Sequence, residues 1–265
     1  MKTWDPKSWT RQLAMTGDIA KARADIERSS GFSRKNRFLA EGMLGRLSSL
    51  LLNFTEADAH FERAAAMACD LEGTDAEIRY ALILETYAFE NRILMGKVPT
   101  DALRQSPVEL LHEMDWRLTR ALALSIAVRA IAHLHEGHDA DAFALFGEAA
   151  RRHSAPRCSS ELIGLWQIGQ ACCEQNLGDT ASALRRLDSV ELHYRFAGRK
   201  DKINSTALAA ALYAILERLG HSHRAESWRA TVAASGLPHA TTNAFMKRAS
   251  LMISRCASSK RLVLL

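Results

Sequence analysis

The chain has 265 residues, 48% of them hydrophobic and 25% charged, with a formal net charge of +5. That is enough apolar material for one elongated domain with a long continuous core. No run of about 18 uninterrupted apolar residues occurs, which excludes an ordinary membrane-spanning helix, and the opening MKTWDPKSW lacks the apolar stretch of a secretion signal, so a soluble cytoplasmic protein is expected.

Alternating β-branched runs are absent, whereas Ala, Leu, Arg and Glu dominate, and the fold class expected is all-α. Five cysteines, scattered and odd in number, exclude a disulfide framework and read as buried reduced thiols. Asp5 is an expected N-cap with Pro6 at the first helical position, and Trp9 and Leu13 face Ile19, Ala22 and Ile26 of the following helix. Helices are predicted over about residues 36–52, 55–71 and 76–95. The third carries Tyr80, Tyr87 and Phe89 and ends at Gly96. The segment KVPTDALRQSPVELLHEMD is irregular, because Pro99 and Pro107 each remove a backbone donor and disfavour helix in the residue before, and a bend in the array is expected there.

A long helix then runs from Asp115 to about Glu136, followed by the clearest stretch of the chain, HLHEGHDADAFALFGEAARRH from His133 to His153. Gly137 ends one helix, Asp139 can cap the next, and Ala142, Phe146 and Ala149 fall on one face of it. The phrase recurs as Gly178 with Ala183, Leu187 and Val190, and as Gly220 with Ala225 and Val232. In the latter Trp228 takes over the packing from Arg229. It also appears as Gly17 with Ala22, Ile26 and Ser29, and as Ala57, Phe61 and Ala64 with Leu52 in place of the turn glycine. Gly137, Gly178 and Gly220 are 41 and 42 residues apart, the range of helical-hairpin repeats that bury their apolar faces on one another. The last helix, about 240–256, aligns Phe245, Ala249, Met252 and Cys256, as a capping helix does.

These residues resemble the tetratricopeptide repeat (TPR) family, whose first helix carries a Leu-Gly pair and whose second helix carries Ala, an aromatic and Ala. Leu44-Gly45 with Ala57, Phe61 and Ala64 is one match, and Gly137, Ala142, Phe146 and Ala149 is another. The period exceeds the family's about 34 residues and is similar to the repeat regions of kinesin light chains and of ATP-dependent LuxR-type regulators. The resemblance implies a right-handed superhelical stack of antiparallel hairpins, a TPR-like α-solenoid. It would comprise about six hairpins and a C-terminal capping helix over residues 1–256, with a tail at 257–265.

Motifs that carry chemistry are missing: no phosphate-binding loop, no Gly-x-Gly-x-x-Gly, no Gly-x-Ser-x-Gly and no His-Glu-x-x-His. No catalytic residue, cofactor or metal is therefore assigned. Of His133, His135, His138 and His153, only His135 and His138 would come close, because residues two apart on a helix diverge. Cys172 and Cys173 read as helix filler. After Glu226 there is no acid but Arg229, Lys247, Arg248, Arg255, Lys260 and Arg261 follow, read as the solvated outer face of a capping helix plus a tail.

By resemblance to the family's groove positions, Arg46, Tyr87, Glu90, His135, Asn176 and Arg218 face the concave surface. The function this implies is a non-enzymatic scaffold or adaptor that binds a peptide or protein segment there. A sensor module closing around a small-molecule ligand, as in LuxR-type regulators, is the alternative. RNA or other nucleic acid is disfavoured, because one-base-per-repeat readers use shorter units.

Overall fold

A sequence without strand vocabulary satisfies its backbone locally, and the computed structural model, which describes residues 13, 15–29, 34–68, 75–97, 119–153, 160–196 and 201–258, consists there of helices joined by short turns. Eleven helices and no strand are found among them: α1 (Ile19–Ser29), α2 (Arg34–Leu50), α3 (Phe54–Ala68), α4 (Asp75–Met95), α5 (Thr119–His135), α6 (Asp139–His153), α7 (Ser160–Asn176), α8 (Thr180–Phe196), α9 (Lys202–Arg218), α10 (Ser222–Ala233) and α11 (His239–Ser258). The expected N-cap at Asp5 and Pro6, the irregular unit around Pro99 and Pro107, and most of the tail lie outside the described residues.

Five of the described turns are built by one device. At Gly137 the chain takes φ +79°, its N–H donates to Leu134 O, and the N–H of His138 donates to His133 O, closing the helix end with a left-handed residue. The same pair of bonds closes α4 at Gly96, α7 at Gly178 and α9 at Gly220. It also closes α2 at Leu52, the one non-glycine with positive φ among the described residues, at +67°. A side chain there crowds the backbone, a cost of about 1–2 kcal/mol that a glycine would not carry.

The repeated phrase is the core. Ala22, Ile26, Ala57, Phe61, Ala64, Ala142, Phe146, Ala149, Ala183, Leu187, Val190, Ala225, Trp228 and Val232 are all buried. Trp228 fills the place Arg229 leaves, stacking edge-on against Tyr194 at 4.9 Å and donating from Nε1 to Glu191 Oε1 at 3.0 Å. Glycines in the first helices make room for the aromatic residues of the second: a Cβ at Gly45 would lie 2.8 Å from Phe61, and one at Gly169 would lie 2.5 Å from Phe146.

Helices α2 and α3, α5 and α6, α7 and α8, and α9 and α10 pack as consecutive pairs. The first helices α2, α4, α5, α7 and α9 also pack on one another in a continuous row. Polar links tie successive pairs together: Asn176 Nδ2 donates to Asp139 Oδ1 at 2.7 Å, and Arg218 Nη2 donates to Asn176 Oδ1 at 2.8 Å. Asp139, expected to cap α6, is instead buried at its first turn with its carboxylate committed to Asn176.

The final helix differs from a simple cap. Helix α11 lies against α2, α5, α7 and α9, across the row of first helices, as well as against α10. It brings the two ends of the array together. Arg248 on α11 donates to Ser49 O, 199 residues earlier, at 2.9 Å. Nearby, a Cβ at Gly17 would fall 1.9 Å from Leu237 Cδ2, just ahead of α11.

Stability measurements on three variants check this packing. Ala142→Leu and Ala183→Leu, each placing three extra carbons at a fully buried site, should each lose about 1–3 kcal/mol in urea unfolding. Leu52→Gly should move the other way, gaining about 1 kcal/mol by relieving the left-handed turn. Unchanged stability in all three variants would contradict paired-helix packing at these turns.

Candidate functional site

Between the row of first helices and α11 lies a cavity of about 170 Å³. Each of these helices contributes to its wall. The spacing of three and four that makes a helix face puts Leu162, Leu165, Trp166 and Gly169 of α7 on it, and likewise Phe245, Arg248, Ala249 and Met252 of α11. Helix α5 supplies Leu124, Val128 and Ile131, and α9 supplies Ile203, Ala207 and Ala211. Aliphatic and aromatic side chains make up most of this wall.

One end is polar. Arg46 of α2 and Thr86, Tyr87 and Glu90 of α4 meet Arg248 of α11 there. Arg46 Nη1 donates to Glu90 Oε2 at 2.6 Å, and its guanidinium carbon stands 4.2 Å from the centre of the Tyr87 ring, a cation–π distance. Arg248 Nη2 lies 2.8 Å from the other carboxylate oxygen, Glu90 Oε1, as an ion pair that is out of line for a hydrogen bond. Its Nη1 is held by the carbonyl and hydroxyl of Ser49. Arg248 is 6% exposed, whereas 23% of the Arg46 side-chain surface and 13% of that of Glu90 stay accessible.

The electrostatics follow from this arrangement. Burial pushes the Glu90 carboxyl upward, but the charges of Arg248 and Arg46, with the hydrogen bond from Arg46, outweigh it and hold Glu90 down at about 2. Burial lowers Arg248 from the usual guanidinium range, against the pull of Glu90 and with a push from Arg46. Arg46 also suffers burial, yet Glu90 and Tyr87 raise it above its ordinary value. On α7 burial pushes the Cys172 thiol, which lines the cavity, up to about 12 and raises the neighbouring Cys173 as well, which keeps both protonated and inert, as helix filler would be.

Of the six residues placed on the inner surface from sequence, Arg46, Tyr87 and Glu90 come together at the polar end of the cavity. Asn176 and Arg218 form a second group outside it. Arg218 Nη1 donates to Ile253 O at 3.3 Å, so this pair ties the array to α11 instead of lining open surface. His135 is half-buried in the last turn of α5 and does not line the cavity. Arg248 was read as a solvated charge and is buried, a correction whose signal was present in the sequence: it stands three residues after Phe245 and four before Met252, on the apolar stripe. Lys247, one position away, is exposed as expected.

The histidines are also rearranged. His133, His138 and Asp141 place possible ligand atoms within 4.8 Å of one another, so His133 comes close to His138 where the sequence expected only His135 to do so. The rings of His133 and His138 are 5.7 Å apart, and burial together with Arg129 lowers the His133 pKa. The turn at Gly137 folds His138 back toward His133, a geometry that helical spacing alone does not reveal. No helix among the described residues is long and apolar enough to cross a membrane.

Comparison with protein-family models, curated proteins and solved structures finds no match.

The shared carboxylate yields a pH-dependent prediction. Glu90→Gln leaves two guanidinium groups facing a neutral amide and should cost about 3–5 kcal/mol at neutral pH. The folded pKa of Glu90 lies below its unfolded value of about 4.3, so its contribution is complete above that pH and is lost as pH falls toward about 2. The gap in unfolding free energy between the parent and Glu90→Gln should therefore narrow between pH 5 and pH 2 on the scale set by these values. A constant gap across that window would refute the shared pairing.

Proposed function

We propose that this chain is a non-enzymatic binding module, a TPR-like right-handed α-solenoid of antiparallel hairpins. Its concave groove holds a small ligand beneath its own C-terminal helix. The observation that carries this reading is the cavity between α11 and the first helices, apolar along most of its wall and charged at one end. Ligand sites combine an apolar lining with a few placed polar groups in this way. The sensor alternative is thus favoured over an adaptor that takes an extended peptide, because α11 already lies across the surface such a peptide would use.

The adaptor reading keeps one supporting observation: α11 itself is a helix presenting Phe245, Ala249 and Ile253 to that surface, so a helical segment of a partner protein could replace it. Nucleic-acid recognition loses support, since Arg248, one of the basic residues of the acid-free C-terminal segment, is committed inside the fold. The reading as a cytoplasmic regulator-like module rests on resemblance to the repeat regions named above.

Native mass spectrometry with a panel of small apolar compounds, paired with hydrogen exchange, tests the choice. A one-to-one adduct is expected, with the amides from Ala244 to Ile253 still protected at saturation, and Ala211→Phe, which fills the cavity, should lose the adduct. Binding of a protein partner with release of those amides would establish the adaptor instead.

A further inference from the structure

The polar end of the cavity carries more positive than negative charge. Arginine stays protonated in proteins, so Arg46 and Arg248 bring two cations. Glu90, held ionised at about 2, is the one carboxylate among the described residues that bears on either of them. Three other acids of α2 and α3 are engaged elsewhere: Glu41 with His60 and Arg63, Glu56 with Arg23, and Asp58 with Arg92. A buried cluster with one uncompensated charge is unfavourable unless something neutralises it, and the Tyr87 ring face does so only in part.

Donors remain to receive an anion. Among the described residues Arg46 directs only Nη1 to a protein acceptor, leaving Nε and Nη2 with hydrogen-bonding capacity, and Arg248 Nη2 is misaligned with Glu90. The adjoining wall is apolar and of limited size. An apolar cavity of about 150 Å³ admits a benzene ring, so a cavity of about 170 Å³ accepts a body of that order.

We propose that the cavity is a binding site for a small monocarboxylate with a compact apolar body. Its carboxylate pairs with Arg46 beside Arg248, and its body packs among Leu124, Val128, Trp166 and Phe245. This rests on the reading of the cavity as a ligand site and adds the ligand's chemical class. A guanidinium–carboxylate pair forms two parallel hydrogen bonds and gives the orientation that an apolar wall lacks. One negative charge is the number that brings the cluster to neutrality, which selects a monoanion over a dianion.

Calorimetric titration of the intact protein with benzoate, hexanoate, benzyl alcohol and acetate tests the class. Benzoate or hexanoate should bind at least about tenfold tighter than benzyl alcohol, the margin of a charged hydrogen bond in a dry site. Acetate, with no body to bury, should bind weakest. Arg46→Met leaves Glu90 and Arg248 as a balanced pair, so it should keep cooperative unfolding while erasing the preference for the acid over the alcohol. Equal binding of benzyl alcohol and benzoate would overturn the monocarboxylate and leave the ligand-site reading standing, as would an acid preference that survives Arg46→Met. Acetate binding as tightly as benzoate would reduce the site to a bare anion hole and overturn the class. Silence with all four compounds, together with no effect of Ala211→Phe on any adduct, would overturn both.

Discussion

Glu90 is a single carboxylate held between two guanidinium groups that come from opposite ends of the chain, and the organisation of the inner surface depends on that sharing. Arg46 approaches from α2 and Arg248 from α11, and among the described residues neither has another carboxylate bearing on it. Removing charges from water is costly, so such a cluster persists only where the surrounding helices fix its geometry. Here α4 sets the carboxylate, the Tyr87 ring steadies Arg46, and the Ser49 carbonyl and hydroxyl anchor Arg248. With those points fixed, α11 lies across the row of first helices and a cavity is left beneath it.

The repeat itself was legible in the sequence because its signal is steric and local. A small residue, an apolar residue and a small residue at spacings of four and three define a close helix contact whatever the rest of the chain does, and every described instance is buried. Even the exception was readable: Leu52 stands where the other units have glycine, and the backbone adopts the left-handed turn regardless. The first-helix glycines Gly45 and Gly169 belong to the same logic, since each leaves the volume that an aromatic ring occupies.

The site was only partly legible, because it depends on which helices meet across long sequence separations. Arg46, Tyr87 and Glu90 could be placed on an inner face by their register within first helices. Nothing local showed that α11 would fold back over them. Arg248 therefore looked like one more basic residue of an acid-free terminus, although its position on the Phe245–Met252 stripe pointed inward. Asn176 and Arg218 were assigned to the inner face but serve as links between units, a role that hydrogen-bond geometry reveals and spacing does not. The histidines near Gly137 failed for a related reason: a helical wheel stops being a guide where the chain reverses.

The meeting of the two ends alters how the array holds together. An open stack of helical pairs behaves as a line of nearest neighbours, and its outermost units can fray while the middle stays folded. Here Gly17 sits against Leu237, and Ser49 binds Arg248, so each terminal unit is the other's neighbour. Loosening one end exposes the other, and the free energy of opening is shared around the whole circuit. A chain of modular units thereby gains the all-or-none melting of a compact domain, and a molecule lodged at the seam would stiffen both ends at once.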